Sequence, residues 1–466
     1  MLDILNSYLC RLLPSRPLNV DDYAGQRVRQ VAWSVLSNLA VQPLSILVTL
    51  VSVPLALTYL GQERYAIWLA MNSLLAWFGL LNFGAPQGLQ NALAEAYGRD
   101  DKESAHQYIS TTFALMCGLA LLLIAVFAVL LIRLDWHQVF NVSEQVATAE
   151  IQAAMGLAMF AFAFNFPVGI VNTIYGAYQK AYLSSAWTAA GAVLGLIGLV
   201  VAINTPFGLP GLVVAGFLVS LITTAFNLIV LFRFQFPFLR PRLSAIRWRA
   251  IRRIWKTSVS IFIIQIAVLT ISQSANLILI RLVGPAVVPE YALTFMAYNM
   301  LRSLFILVAM PLGPAFMEAV SRGDIAWAER MQQRLRWLTL SATAVGLCIM
   351  LPFGKYAIGW WTHGEIYPEW GVIAILGVHF VLWAQSGIEA MFINSLDRAH
   401  TLVAPAVMEG LILVAIALWL VPTYGTLGMA IATLTGLVFT NGWYCPYQAR
   451  QTMHVLKASH KPTVST

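Results

Sequence analysis

Twelve windows of about 20 mostly apolar residues follow one another along this chain, the length a helix needs to cross the ~30 Å hydrocarbon core of a bilayer. They fall near 31–57, 65–94, 109–132, 149–174, 183–204, 209–232, 257–280, 291–317, 337–354, 371–393, 401–421 and 425–446. Backbone amides in lipid must be satisfied within the segment, so windows of this kind become helices rather than open sheets. With 59% hydrophobic and 10% charged residues among 466, there is too little polar surface to cover a water-soluble body. The sequence therefore predicts an all-α polytopic membrane protein of about twelve transmembrane helices.

Six windows lie on each side of residues 233–256, RFQFPFLRPRLSAIRWRAIRRIWK, which carry Arg233, Arg240, Arg242, Arg247, Arg249, Arg252, Arg253 and Lys256 and no acid. Such a run stays out of hydrocarbon and on the cytoplasmic side. With both termini on that side, 23 of the 28 Lys and Arg fall in inner loops and tails, Arg64, Arg133, Arg281 and Lys355 fall outside, and Arg302 falls within a span. The formal charge of +8 is thus topological and lipid-facing, not the footprint of nucleic-acid binding. The expected organisation is a cytosolic tail over 1–30, a first lobe of six spans over 31–232, the basic linker 233–256, a second lobe over 257–446, and a cytosolic tail over 447–466. The first residues hold an acid at position 3 and no small-residue cleavage site, so they do not read as a signal peptide; a tail is favoured over an interfacial helix on Leu2, Leu5, Leu9 and Leu12. Cys10, Cys117, Cys348 and Cys445 form no CxxC pair, which implies neither a disulfide framework nor a metal site.

The halves repeat one another. Arg29, Ser37, Gln42, Gly61, Glu95, Ala96 and Arg99 recur as Arg252, Ser260, Gln265, Gly284, Glu318, Ala319 and Arg322, at one offset (318 − 95 = 223). Gly208 and Gly211 recur as Gly425 and Gly428, 217 residues on. With an even number of spans in each half the copies run in the same direction, which predicts two six-helix repeats related by an axis along the membrane normal, around a central cavity.

Polar residues inside the spans mark the candidate site. Asn38, Gln42, Ser45, Thr49 and Ser52 follow helical steps of four and three in span one, and Gln265, Ser272 and Asn276, with Gln273 beside them, repeat the pattern in span seven. Such stripes line a helix contact or a water-filled cavity, and two matched stripes favour the cavity. Arg302 lies deep in span eight, where an arginine costs at least about 2.5–3.5 kcal/mol, so it either pairs with a buried carboxylate, Glu389 or Glu409, or faces an anionic substrate. Asn299, Tyr298 and Tyr291 extend the same surface. Span two adds Asn82, Pro86, Gln87 and Gln90, and Asn165 with Pro167 repeats the pairing of amide and proline in span four, as expected of a bent cavity-lining segment. Glu389 and Glu409 are candidates for H⁺ or Na⁺ coupling. Tyr356, Trp360, Trp361, Tyr367 and Trp370 near the longest outer loop read as an interfacial girdle before sugar-stacking platforms, and His363, Glu365 and Glu369 keep no recognised metal spacing.

Leu60-Gly61 through Tyr65-Ala66-Ile67-Trp68, Leu81-Asn82-Phe83-Gly84, Asn91-Ala92-Leu93-Ala94-Glu95 with Gly98-Arg99-Asp100, Tyr175 to Gln179 and Tyr424 to Gly428 resemble motifs of the polysaccharide flippases. These are the Wzx-like transporters of the multidrug/oligosaccharidyl-lipid/polysaccharide exporter superfamily, and the resemblance extends over nearly the whole chain. Two positions depart from it: Asn82 stands where members often have Asp, and Ala66 where many have Gly. The resemblance implies a two-lobed bundle in a bacterial inner membrane that alternates between inward-open and outward-open states. Its expected cargo is an undecaprenyl-pyrophosphate-linked oligosaccharide for O-antigen, capsule or exopolysaccharide assembly, with Arg302 as the deep cation for the pyrophosphate and the Asn/Gln/Ser stripes for the glycan. Its partners would be membrane lipids and polysaccharide polymerase or export proteins, with no cofactor beyond a coupling H⁺ or Na⁺. A multidrug cation antiporter of the same superfamily would need a cavity of carboxylates and aromatics. An integral-membrane glycosyltransferase or polymerase would need an acidic or large outer loop, and the first outer loop offers only Glu63, so no enzyme is expected.

Overall fold

The computed structural model describes residues 23–142, 146–178, 180–309, 316, 319–320, 323–396 and 398–459. Among them every regular element is a helix. The long elements are α1 (Tyr23–Phe78), α2 (Ala85–Gly98), α3 (Lys102–Arg133), α4 (Thr148–Val168), α5 (Ile170–Ala177), α6 (Ala181–Ala202), α7 (Gly208–Gln235), α8 (Trp248–Leu282), α9 (Val288–Ala309), α10 (Ile325–Trp361), α11 (Trp370–Ser395), α12 (Val403–Phe439) and α13 (Asn441–Ser459). Nine helical stretches among the described residues are long and apolar enough to span a bilayer. Two of them, Val41–Asn82 and His400–Lys457, turn at Gly61 and Gly425 and hold two crossings each, and α9 adds another, which accommodates the twelve-helix layout. The outer loop expected near 355–370 is shorter than the sequence suggests, because α10 carries Lys355 to Trp361 in its last turns. Helix α8 starts at Trp248, inside the basic run, so the linker's second half is already helical.

The repeat is visible in the backbone itself. Gly61 (φ 71°) and its counterpart Gly284 (φ 122°) both take positive φ, as do Gly208 (φ 56°) and Gly425 (φ 54°). A side chain clashes with the backbone in that region, so glycine is what lets the chain turn there without strain. The turns into α3 and α10 are the same structure, 223 residues apart. Asp101 caps α3 by accepting from the Ser104 amide at 2.9 Å, and Asp324 caps α10 by accepting from the Trp327 amide at 3.0 Å. The Asp101 and Asp324 amides each donate at 2.9 Å to Ala96 and Ala319, and Asp100 and Gly323 just before them both have positive φ.

Packing is tight at one end and divided at the other. On the side away from the basic linker a single apolar core runs through both halves, joining Leu57, Tyr65 and Met155 to Leu279, Tyr291, Leu376 and Met429. On the linker side the buried residues separate into two cores, one around Leu93, Ile109, Tyr175 and Leu231, the other around Phe316, Phe392 and Ala449. The closed end is also stitched by hydrogen bonds between halves: Gln62 Nε2 to Glu365 O at 2.6 Å, Trp361 Nε1 to Leu50 O at 2.9 Å, and Arg281 Nη1 to Gln138 O at 2.8 Å. On the linker side the halves meet through α8, which packs against α2 and α3, with the Phe83 and Phe262 rings 5.4 Å apart, while their buried cores stay separate.

Gly425→Ala places a Cβ at a positive φ and should cost about 1–3 kcal/mol. Gly118→Ala sits in regular helix with nothing within 4 Å of the added carbon and should be neutral or stabilise by about 0.5–1 kcal/mol. Thermal unfolding of the purified variants in detergent compares the two.

Candidate functional site

A cavity of about 770 Å³ opens in the first half. Helix α1 contributes Thr49 and Ser52 before the Gly61 turn, then Tyr65, Trp68, Asn72 and Ser73 after it. Asn165 comes from α4, Asn172 from α5, Trp187 and Thr188 from α6, and Ser220, Thr223, Thr224 and Asn227 from α7. The second half reaches in with Gln273 and Asn276 of α8 and Met296 of α9. Small residues let the walls approach: a Cβ on Gly191 would lie 3.7 Å from Thr223 Cγ2, and one on Gly216 would lie 2.9 Å from Trp68 Cη2.

Among the described residues none that lines this cavity is charged. Its polarity comes from amides and hydroxyls whose orientation is fixed from behind. Tyr175 OH donates to Asn227 Oδ1 at 2.8 Å and Ser184 Oγ donates to Asn172 Oδ1 at 2.7 Å, leaving the two amide NH2 groups without a protein acceptor among the described residues. Asn276 Nδ2 donates to Ser73 Oγ at 3.0 Å, tying the halves together across the wall. Trp68 and Trp187 are braced edge-on by Phe217 and Phe226, with centroids 5.3 and 5.7 Å apart. The surface combines hydrogen-bonding groups with flat aromatic faces and contains no ion.

The buried charges sit in the second half. Glu389 of α11, 2% exposed, accepts from Gln332 Nε2 at 2.6 Å and from Arg336 through both Nε and Nη2, so it is a fully paired carboxylate. Glu409 of α12 is equally buried but is held by neutral donors, Asn441 Nδ2 at 2.6 Å and Thr440 Oγ1 at 3.5 Å. Neither takes Arg302. That guanidinium lies over the Trp383 ring with Cζ 3.5 Å from its centroid, and its Nε is buried with no acceptor among the described residues. A desolvated cation–π contact of this kind is worth about 2 kcal/mol or more, which offsets part of the burial cost without neutralising the charge. His379, one turn before Trp383, has a buried Nε2 in the same unpartnered state.

Of the residues singled out from sequence, Gln273 and Asn276 line the cavity, and Thr49 and Ser52 of the span-one stripe join them. Gln42 is exposed and Gln265 half-buried, both away from it, and the Asn38 side chain lies outside the described residues. Asn299 donates to Phe295 O of its own helix at 3.1 Å. Asn82 accepts from the Gly84 amide at 2.7 Å and so builds the break before α2, which Pro86 then opens instead of kinking a continuous helix. Gln90 accepts from Gln87 at 3.2 Å and packs against Gly176. Tyr291 and Tyr298 are buried and donate or accept inside the second half, to Thr433 Oγ1 at 2.9 Å and Ile373 O at 2.9 Å, and form no part of the cavity surface. The cavity residues the sequence reading passed over were nonetheless written at helical spacing: Ser220, Thr223, Thr224 and Asn227 follow the same steps of three and four.

No family model matches the chain. A curated protein of Salmonella typhi named "Putative O-antigen transporter" is 20% identical over 404 residues, 86% of this chain and 91% of its own length. Among solved structures, an inward-facing multidrug resistance MATE family transporter of the MOP superfamily superposes with a TM-score of 0.74 at 15% identity, covering 93% of this chain and 100% of its own. A MOP superfamily transporter from Pyrococcus furiosus, reported with a binding pocket of reverse polarity, superposes at 0.59 with 14% identity, covering 92% and 96%. The chain shares its fold with these solved transporters of the MOP superfamily, as the sequence resemblance implied, and the similar proteins are named as transporters.

Truncating Arg336 to Ala strands Glu389 in the interior and should cost about 3–5 kcal/mol, whereas Arg336→Met combined with Glu389→Leu should cost far less. Unfolding midpoints and detergent-extracted yield of the single and double variants make the comparison.

Proposed function

We propose that this chain, a membrane transporter with the MOP-superfamily fold, moves an undecaprenyl-pyrophosphate-linked oligosaccharide across a bacterial inner membrane by alternating access, for O-antigen, capsule or exopolysaccharide assembly. The observation that carries the reading is the pairing of an amide- and tryptophan-lined cavity, without charged groups among its described residues, with a deep arginine that no described carboxylate neutralises. The sugar portion suits the cavity. The pyrophosphate suits Arg302, whose planar fork of donors matches phosphate oxygens and whose charge has no competing anion beside it among the described residues. Arg302 follows Met296 of the cavity wall by six residues, about 9 Å along α9, a separation a lipid-linked saccharide bridges without strain. The lipid tail stays in the bilayer between the lobes.

The basic linker favours a cytoplasmic linker side, and the separate buried cores on that side fit a conformation that would load from the inner leaflet. Among the buried carboxylates, Glu409, held by neutral donors, is the stronger candidate for coupling to H⁺ or Na⁺, since Glu389 is already matched by Arg336. A multidrug cation exporter is disfavoured because an organic cation entering the cavity would meet no carboxylate among its described residues.

Deleting the gene in its host should raise undecaprenyl-linked oligosaccharide on the inner leaflet and abolish the surface polymer, with wild type restoring both. Arg302→Ala should lower the flipping rate about tenfold or more, the scale of one lost charge-assisted hydrogen bond of about 1.5–3 kcal/mol, and Arg302→Lys should recover part of it. Unchanged lipid-linked units with new sensitivity to cationic dyes would replace this reading by drug export. A Gln62→Cys, Glu365→Cys pair, oxidised across the closed end, should stop transport until reduced.

A further inference from the structure

We infer that the saccharide this transporter carries is uncharged, built from neutral and N-acylated sugars without uronic or other acidic residues. The inference rests on the flippase reading and deepens it from the chemistry of the cavity. A carboxylate brought into a water-poor cavity costs several kcal/mol unless a cation or a set of convergent donors replaces its hydration. Among the described residues the cavity wall contains no Lys, Arg or His. The membrane-depth arginine, Arg302, lies outside it, on Trp383, and in this reading serves the pyrophosphate. Arg64, between the Gly61 turn and the wall residues Tyr65 to Ser73 of α1, is committed to Glu150 at 3.0 Å.

Neutral sugars meet the opposite situation. Their hydroxyls need both donors and acceptors at moderate strength, which Asn, Gln, Ser and Thr supply, and their apolar C–H faces need flat aromatic partners, which Trp68 and Trp187 supply. The Asn172 and Asn227 NH2 groups, held with their oxygens already occupied, are pure donors suited to the carbonyl of an N-acyl group. Gln273 has no hydrogen-bond partner among the described residues and offers both an acceptor and a donor. At about 770 Å³ the cavity falls in the ~300–1,000 Å³ range of sites that enclose small ligands, so it encloses the sugars nearest the phosphate and selects on them.

The test uses the full-length protein in liposomes with two fluorescent probes: a polyprenyl-pyrophosphate disaccharide of N-acetylhexosamine and hexose, and the same molecule with hexuronic acid in place of the hexose. The neutral probe should cross at least tenfold faster. Equal rates, or a faster acidic probe, overturn the inference and leave the flippase reading standing, whereas failure of both probes to cross overturns the flippase reading itself. Ser220→Lys on α7, and separately Thr188→Lys on α6, each place a cation in the cavity and should shrink the neutral probe's advantage about tenfold. An unchanged ratio in whichever of these variants still transports would show that the sugar does not pass through this cavity.

Discussion

A polar group inside a bilayer has no water to fall back on, and the whole interior of this protein is arranged around how each one is answered. Glu389 is answered in full, by an arginine fork and a glutamine amide, and behaves as part of the second lobe's frame. Glu409 is answered by an amide and a hydroxyl, enough to hold the group in place but not to cancel its charge. Arg302 is answered, among the described residues, by the face of Trp383. This graded series matters because a fully paired ion has little left to exchange for a ligand, while a group held by a ring face gains most when an anion arrives.

The same constraint explains where the backbone bends. A helix in lipid cannot leave amides open, so turns between crossings must be short and internally bonded, and this chain makes them at glycines of positive φ placed at matching points in the two halves. Because Gly61 and Gly425 each pass one long helix directly into the next, the ends they form are stiff, and the core at the closed end is continuous across both lobes. At the linker end the two cores are independent. In the proposed alternating-access reading the closed end acts as the seam, and the hydrogen bonds from Gln62, Trp361 and Arg281 are among those that must be exchanged when it opens.

The architecture was legible in the sequence because it rests on quantities that composition reports directly: window length, the position of basic residues, and glycines recurring at fixed offsets. The site was legible only in part. Helical spacing says that Thr49, Ser52, Gln273 and Asn276 share a face with other polar residues, and they do line the cavity, but spacing does not say how far along the helix the cavity extends, so Gln42 and Gln265 belong to the same stripes and lie beyond it. Asn82 and Gln90 look like cavity amides in one dimension and turn out to hold a helix break and a helix contact. Arg302 shows the limit most clearly. Its depth was readable, while its partner was not, because Trp383 is 81 residues away in sequence (383 − 302) and a tryptophan in an apolar helix carries no mark of a cation-binding role.

The division of labour between the lobes follows from these placements. The first lobe holds nearly all of the cavity and offers only dipoles, which bind many hydroxyl patterns at modest strength and reject charge. The second lobe holds the deep cation and the buried carboxylates, which respond strongly to charge and little to sugar identity. In the proposed reading, a lipid carrier whose invariant part is a pyrophosphate and whose variable part is a saccharide would match such a split, each lobe reading the portion its chemistry discriminates best. It also supplies a reason for the lobes to move together: a ligand that touches both gains its full binding energy only when they are held in one relative position, and two rigid bodies sharing a seam can offer that position first to one side of the membrane and then to the other.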